Sequence, residues 1–244
     1  MSLAKKNDLR VSDIMTCTLA RILVDGENVF HGVSSHMPMV AVMLAKALHA
    51  PNLVHLNIPG GVSPKTIKDA HYSSAGLELF NGAEAVFPLS EVFDLAMRGR
   101  LDVAFLSGVQ FDVNGNVNAS VIGDYRKPKV RLPGGAGSAV LIPTAKKALI
   151  WRTKHDKRTF VERVDFVTTR GNLHKIVTPL CVFEFKNGRL VLDTIHPTSS
   201  LEEVIENTGF KVVYDEIRYT PEPTAEELKM LKLVDPNDLR TMEF

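Results

Sequence analysis

The sequence predicts an α/β protein with an open, mixed, largely parallel sheet and helices on both faces. The first half alternates between helical and extended hydrophobic patterns, as expected for parallel strands joined by helical crossovers. The second half contains two Asn-Gly dipeptides, Asn114-Gly115 and Asn187-Gly188, which are typical of tight hairpins. A length of 244 residues, with 45% hydrophobic and 23% charged residues, is that of an ordinary globular chain. We therefore predict one domain covering residues 1–244.

The charge balance and the cysteines bear on whether the protein binds nucleic acid, spans a membrane or holds a metal. Lys plus Arg number 29 and Asp plus Glu number 28, so a net charge of +1 argues against nucleic acid as a partner. No apolar run reaches the roughly 18 residues of a membrane span. Cys17 and Cys181 lie far apart in apolar surroundings. We expect buried thiols in a cytoplasmic protein, and no metal site.

The elements of the first half follow from periodicity and from start and stop signals. A helix capped by Ser12 and stopped by Gly26 is expected first, and a largely buried helix with Pro38 in its first turn follows later. A third helix runs from Pro88 to Arg98, with Gly99 as its stop. The predicted strands are Asn28 to Val33, Leu53 to Ile58 and Leu101 to Ser107, whereas Val62 to Gly82 shows no period and is expected to be a mixed loop.

The second half is predicted to be richer in strands. Two hairpins are centred on the Asn-Gly dipeptides. Thr224 and Glu227 form a capping box at the start of the last helix, and Ser199 or Ser200 starts a shorter one. The other predicted strands are Lys147 to Arg152, Val164 to Thr169 and Lys211 to Tyr214.

Three loops that start at Gly32, Asn57 and Gly108 follow predicted strands. Ligands of parallel sheets lie beyond the carboxyl ends of the strands, so these loops are candidates for one shared site. A fourth segment, Pro133 to Ser138, is dense in glycine, and its backbone N–H groups are suited to a phosphate or an oxyanion. A purely structural turn is an equally good interpretation of the glycines alone.

The candidate catalytic side chains form no recognisable triad or metal-binding motif. Of the eight histidines, His31, His36 and His55 lie near the candidate loops, and for each a structural role is favoured over catalysis. Glu78 and Glu84 belong to the irregular segment, where a functional role stays open. The residues alone therefore indicate an α/β protein with a pocket for an anion or an oxyanion.

Several phrases, taken together, add a family resemblance. They are GVQFDVNGNVNAS from Gly108, RLPGGAGSA from Arg131, Ala50-Pro51-Asn52, and HPTSSLEEVIENTGF from His196. The chain resembles the beta-type subunit of family I CoA-transferases, closest to the glutaconate CoA-transferase type. The resemblance implies an open α/β fold shared with certain sugar-phosphate isomerases. It also implies an alpha-type partner subunit and a coenzyme A thioester as substrate, with no permanently bound cofactor.

The resemblance also implies where the nucleophile of a transferase belongs. In that family, a glutamate just beyond the strand that follows the Ala-Pro-Asx phrase attacks the thioester. Here the strand is LVHLNIPGG, and Ile58, Pro59 and Gly60 stand at the position of the glutamate. No carboxylate occurs between Leu53 and Lys65. The catalytic residue of this chain is therefore not assigned.

A related group of the same fold lacks that glutamate and hydrolyses a carbon–carbon bond in a cyclic CoA thioester from steroid-ring breakdown. By this resemblance, the expected reaction is either CoA transfer or such a hydrolysis. An alternative is a subunit that only binds the CoA thioester, and a weaker alternative is a sugar-phosphate isomerase or sensor. The acyl end of the pocket is predicted to be lined by Ser34, Ser35, Asn57, Gly60 and Gly61, and the thioester or CoA end by Gln110, Gly134, Gly135, Ala136, Gly137 and Ser138.

Overall fold

The computed structural model describes residues 9–65 and 73–244. In chain order, the elements are α1 (Val11–Ile22), β1 (Asn28–His31), α2 (His36–Leu48), β2 (Val54–Leu56), β3 (Gly61–Val62), β4 (Ala85–Val86), α3 (Ser90–Met97), β5 (Val103–Leu106), β6 (Gln110–Asp112), β7 (Val117–Asn118), β8 (Val121–Gly123), β9 (Pro128–Arg131), α4 (Ser138–Thr144), β10 (Lys147–Trp151), β11 (Phe160–Val161), β12 (Leu173–Val177), β13 (Cys181–Lys186), β14 (Arg189–Ile195), α5 (Leu201–Asn207) and α6 (Ala225–Val234). Short 3₁₀ turns occur at Leu77–Phe80 and Leu239–Thr241.

The chain divides into two compact units. Of the described residues, unit 1 contains 9–65, 73–105 and 221–244, and unit 2 contains 106–220. The interpretation of the chain as one domain stays a prediction. In the part of the chain that the structure describes, no helix has the length and apolar character that a membrane span requires.

Unit 1 is built on parallel strands. The strand β1 pairs in parallel with both β2 and β5, with Phe30 opposite Leu56 and Ala104. The helix α2 is buried along most of its length and packs against α1 and α6. The predicted strands and the buried second helix are confirmed. The carboxyl ends of β1 and β2 therefore lie at the same edge of the sheet, which places the two loops that follow them side by side.

Unit 2 is mixed. The strands β10 and β12 are parallel, whereas β12, β13 and β14 are antiparallel neighbours. Both predicted hairpins are confirmed, since β6 pairs with β7 around Asn114-Gly115, and β13 pairs with β14 around Asn187-Gly188. Asn187 and Gly188 have φ values of +53° and +77°, as a type I′ turn requires. The predicted α/β class with a largely parallel sheet is confirmed.

The predicted start of α1 is wrong. The helix begins at Val11, and Ser12 lies inside it as a buried residue instead of capping it. The carboxylate of Asp13 accepts hydrogen bonds from Arg10 Nε at 3.0 Å and from the buried Arg240 Nε at 2.7 Å. These contacts join the first turn to the C-terminal segment, so tertiary ion pairing fixes the start of the helix in place of a serine cap.

Two predicted strands are also wrong. Residues Val164 to Thr169 form no strand. At their start, side chains take two backbone N–H groups, since Val164 donates to Asp112 Oδ2 at 3.3 Å and Asp165 donates to Gln110 Oε1 at 3.1 Å, and at their end only Thr169 forms an isolated bridge, with Val117. Residues Lys211 to Tyr214 are irregular, although the Val213 carbonyl accepts a bond from Leu192. The prediction missed β11 and β12. Residues 66–72 of the expected mixed loop lie outside the described residues.

The predicted stop of α1 is also wrong, because the helix ends at Ile22 with Leu23 as its C-cap and does not reach Gly26.

The end signals of the last two helices behave as predicted. Ser200 caps α5 by accepting from the Glu203 N–H, and Thr224 and Glu227 form the capping box of α6. Cys17 and Cys181 are fully buried free thiols, and burial raises the pKa of each to about 12. Neither thiol is therefore a nucleophile at neutral pH.

Candidate functional site

The turn after β2 is organised by one buried amide. Asn57 Oδ1 accepts hydrogen bonds from the N–H groups of Gly60 and Gly61, both at 3.1 Å, and Asn57 Nδ2 donates to the Gly61 carbonyl at 2.6 Å. The Asn57 side chain is completely buried. The structure therefore brings three of the predicted site residues together in one turn, and it commits the Asn57 amide to holding that turn.

Only glycine fits at two positions of this turn. Gly60 has a φ of +103°, and a Cβ added there would lie 2.0 Å from the Phe87 carbonyl oxygen. A Cβ on Gly61 would lie 2.0 Å from the Leu79 carbonyl oxygen. The segments that contain Leu79 and Phe87 therefore pack directly against the turn, which fixes its backbone rigidly.

The adjacent loop after β1 carries the two predicted serines. Ser34 has a φ of +49°, an unusual conformation for a residue with a side chain. The N–H of Ser35 donates to Ser74 Oγ at 2.8 Å, and Ser35 Oγ donates to the Val33 carbonyl at 3.0 Å. Ser35 is buried, whereas Ser34 is exposed. Of the two hydroxyls, that of Ser34 is the one open to a ligand.

A pair of buried histidines lies on these two strands. The rings of His31 on β1 and His55 on β2 are 4.9 Å apart, and neither side chain is exposed. Burial lowers the pKa of His31 to about 4 and that of His55 well below its ordinary value. Within residues 9–65 and 73–244, neither ring nitrogen of His55 has a hydrogen-bond partner. Both rings are therefore neutral at physiological pH.

The two glutamates that the sequence left open lie in the chain that packs on the Asn57 turn. The N–H of Glu84 donates to the Val62 carbonyl at 2.8 Å, and the Glu84 side chain is exposed. Glu78 is half-buried in the 3₁₀ turn that includes Leu79. The backbone of both residues is thus held close to the turn.

In unit 2, Gln110 is the centre of a polar network. Its Oε1 atom accepts from Asn118 Nδ2 at 2.7 Å and from the Asp165 N–H at 3.1 Å, and its Nε2 atom donates to Asp165 Oδ2 at 3.3 Å. The Gln110 side chain is buried, with 6% exposed. These contacts fix its orientation.

The glycine-rich segment lies on the surface and leads into α4. Gly134 has a φ of +94° and donates its N–H to the Ala119 carbonyl at 2.8 Å. Ala136 also has a positive φ, +41°, and Ser138 is the first residue of the helix. A Cβ on Gly134 would meet nothing within 4 Å, whereas one on Gly135 would contact Ala139 at 2.8 Å. Since Asn118 binds Gln110 and Ala119 binds Gly134, the structure joins the predicted thioester-end residues through one short segment.

Sequence reasoning missed two features of the sites. One is the contact between His31 and His55, whose only sequence signal is a histidine in each of two neighbouring parallel strands. The other is a cluster of cations after β10, which includes Arg152, Lys154, Lys157 and Arg158. Its signal is visible in the sequence RTKHDKR, a strongly basic stretch in a chain of nearly balanced charge.

Comparison with known proteins places this geometry in a family. The sequence pattern of the coenzyme A transferase family matches residues 13–207, which include both strand-end loops and the glycine-rich segment. The chain belongs to the coenzyme A transferase family. The predicted family resemblance is therefore confirmed.

Three relatives are named for three different reactions. The chain is 34% identical to the B-type subunit of the 3-oxoadipate CoA-transferase of Pseudomonas knackmussii, over 92% of each chain. It is 25% identical to the cholesterol ring-cleaving hydrolase IpdB subunit of Mycobacterium tuberculosis strain H37Rv, over 96% of this chain and 98% of the relative. The crystal structure of the decarboxylase AibA/AibB superposes with a TM-score of 0.89 at 30% identity, covering 96% of this chain and 98% of that one. Family membership therefore fixes the fold and leaves the reaction to the site.

Proposed function

We propose that the chain is the beta-type subunit of a heteromeric enzyme that cleaves a carbon–carbon bond in an acyl-CoA without forming an acyl-glutamyl intermediate. Hydrolysis of a cyclic acyl-CoA is the leading reaction, and decarboxylation is the other member of the same class. The observation that carries the proposal is the turn after β2, where the sequence has Ile58 and Pro59 at the position that the resemblance assigns to the glutamate, and a neutral amide, Asn57, holds the backbone.

A neutral site suits this chemistry. In hydrolysis, water adds to a ring carbonyl, the adjacent carbon–carbon bond breaks, and its electron pair is delocalised as an enolate that is then protonated. In decarboxylation, carbon dioxide leaves and the electron pair is stabilised in the same way. Either anion is stabilised by fixed hydrogen-bond donors and destabilised by a nearby carboxylate. His31 and His55 are buried and neutral behind the strand ends, so they add no charge there, and the general base is expected from the alpha-type partner subunit.

Two relatives support this class of reaction, since a ring-cleaving hydrolase and a decarboxylase share the fold over almost the whole chain. The subunit names of these relatives also support a heteromeric assembly for this chain. Transfer of CoA, the reaction named for the relative with 34% identity, needs a nucleophilic carboxylate. Glu78 and Glu84, whose backbone lies close to the turn, are the candidates to replace it, and a carboxylate of either beside Gly60 would revive covalent catalysis. A cytoplasmic location stays a prediction.

A second candidate is a subunit that binds the CoA thioester while all catalysis occurs in the partner. The Asn57 amide forms its hydrogen bonds with Gly60 and Gly61 of its own turn. This favours the alternative, because the amide then offers no polar contact to a substrate. Ser34→Ala separates the two candidates. In the assembled complex it would lower turnover if this chain contributes to catalysis, and it would leave turnover unchanged if the chain only binds.

Intact-mass spectrometry tests the proposal. The complex with its partner is incubated with a panel of acyl-CoA esters and trapped with borohydride, and the masses of both subunits and of the products are measured. We expect unmodified subunits and a product heavier by one water, for hydrolysis, or lighter by one carbon dioxide, for decarboxylation. A reduced glutamate or a CoA adduct on this chain would contradict the proposal and establish a covalent transferase.

A further inference from the structure

A basic basin lies in unit 2, in the segment that follows β10. Four cations, Arg152, Lys154, Lys157 and Arg158, line it together with one carboxylate, Asp156, and it encloses about 420 Å³. Its remaining lining residues are uncharged: Val109, Gln110, Ile122, Thr159 and Val161. Four cations and one carboxylate leave a formal charge of +3 around this cavity, in a chain whose total is only +1.

Buried contacts of His155 fix the segment that lines the basin. His155, between the cations, is buried with its Nδ1 atom 2.8 Å from Thr178 Oγ1 and its Nε2 atom 3.0 Å from Thr208 Oγ1. Its ring also stacks on buried Phe160 at 4.3 Å between centroids. His155 is therefore directed into the protein interior, whereas Lys154 and Lys157, on either side of it in the sequence, are exposed.

The single carboxylate of the basin, Asp156, already has hydrogen-bond and ion-pair partners. Asp156 Oδ1 accepts from the N–H groups of Arg158 at 3.0 Å and Thr159 at 2.8 Å. Asp156 Oδ2 lies 3.5 Å from Lys154 Nζ and 3.4 Å from Arg158 Nη2. The one negative charge of Asp156 is shared between Lys154 and Arg158. It therefore does not neutralise the four cations of the basin.

The other two cations form no direct ion pair, although Asp156 interacts electrostatically with Arg152 over a longer distance. Across residues 9–65 and 73–244, Arg152 and Lys157 form no ion pair, and the buried Nε of Arg152 has no hydrogen-bond partner. Burial lowers the pKa of Arg152, which records the cost of keeping this charge partly out of water. An unpaired, half-buried guanidinium at the wall of a cationic cavity is suited to an anionic ligand.

The basin also lies where a ligand is expected. Arg152 directly follows the carboxyl end of β10, which pairs in parallel with β12. Ligands of such sheets bind beyond the carboxyl ends of the strands. Gln110, which lines the basin, is also the residue joined through Asn118 and Ala119 to the glycine-rich segment.

We propose that the basic basin binds phosphate groups at the nucleotide end of a CoA thioester. Coenzyme A carries a diphosphate and a further phosphate, so several negative charges would meet the four cations of the basin. Arginine and lysine together supply forked and single donors to phosphate oxygens. The proposal rests on the proposed function, since it assigns these residues to the same substrate.

The test measures binding of three probes to the complete complex by calorimetric titration: coenzyme A, pantetheine, which has no phosphate, and inorganic pyrophosphate. The variant Lys157→Gln with Arg158→Gln removes two exposed cations and leaves Asp156 and His155 in place. We expect the Kd for coenzyme A to rise about tenfold, or ~1.4 kcal/mol, and the Kd for pantetheine to stay unchanged. The control variant Arg100→Gln with Lys229→Gln removes one arginine and one lysine from exposed positions in unit 1 and should change neither value.

The outcomes separate this proposal from the proposed function. Equal losses for coenzyme A and pantetheine, or no loss for either, would overturn the phosphate assignment while leaving C–C cleavage intact. Loss of partner binding in the Lys157→Gln/Arg158→Gln variant would also overturn it, in favour of an interface with the partner. Pyrophosphate binding that depends on Lys157 and Arg158, with coenzyme A unaffected, would assign the basin to a free anion instead. A wild-type complex that binds no coenzyme A would refute the proposed function, and the pyrophosphate titration would then test the basin alone.

Discussion

The loops after β2 and β10 follow the same kind of element and are built in opposite ways. Both succeed parallel strands, and a buried polar side chain anchors each of them: Asn57 in the first and His155 in the second. The first loop contains no charged side chain from Leu53 to Ser63, and its conformation depends on two glycines packed against neighbouring carbonyl groups. The second places four cations around one cavity.

This difference separates two physical tasks. Under the proposed function, the glycine turn contributes a rigid backbone and no competing charge beside a developing anion. A site that holds phosphates needs net positive charge and tolerates solvent, which the basic basin provides. Substitutions should therefore affect the fold at the first loop and affect ligand binding at the second.

The largest expected effect is on stability, at Gly60. Gly60→Ala places a Cβ 2.0 Å from the Phe87 carbonyl and forces a side chain onto a φ of +103°. We expect a loss of about 3 kcal/mol or more in the free energy of unfolding, measured by urea denaturation. Gly99→Ala is the matched control, because Gly99 also has a positive φ, +69°, but has open space at the Cβ position. It should cost only about 1–2 kcal/mol. Equal losses for both would show that no close packing exists at the Asn57 turn.

Near neutral pH, a smaller effect that grows as the pH falls is expected from the neutral histidine that anchors the second loop. Burial lowers the pKa of His155 from 6.5 to about 3, so the unfolded chain binds its proton at a higher pH than the folded chain does. Stability contributed by neutral His155 is therefore complete above pH 6.5 and falls as the pH decreases toward about 3, by up to ~1.4 kcal/mol per pH unit. Urea denaturation across this range should show a shallower slope for His155→Gln than for the wild type. A variant with the wild-type slope would show that His155 is not kept neutral by burial.

The smallest expected effect is on stability at the basic basin. Lys157→Gln with Arg158→Gln should shift the free energy of unfolding by no more than about 0.5 kcal/mol, since both side chains are exposed and only Arg158 has an ion pair, at 3.4 Å. Thermal unfolding of the variant and the wild type at the same salt concentration checks this. A large loss would mean that the cations hold the loop together, and it would remove the contrast between the two regions.

Much of the fold was predictable because its signals are local. The Asn187-Gly188 hairpin and the Thr224–Glu227 capping box depend on residues a few positions apart, and both formed as predicted. The buried strands β1 and β5 were recognisable because their hydrophobic runs are short and bounded by turns. The family was recognisable from several phrases in order, without any one of them being decisive.

The errors occurred where long-range contacts override a local pattern. Val164 to Thr169 has the composition of a strand, but Asp112 and Gln110, more than fifty residues earlier in the chain, take the backbone N–H groups of its first two residues. Ser12 is a good capping residue, but Arg240 binds Asp13 from the other end of the chain and the helix starts earlier. The polar strand β12 was missed because its Lys175 is neutralised by Asp193, a partner in β14.

The sequence by itself determined the α/β class, the hairpins, the family and the absence of a carboxylate between Leu53 and Lys65, since each of these is a property of residue type and order. The tertiary structure alone decided that Asn57 closes its own turn, that His31 and His55 are in contact and neutral, and that four cations surround one cavity. Hydrogen bonding, desolvation and charge interaction depend on distances in space. Residues far apart in the chain acquire those distances only when it folds.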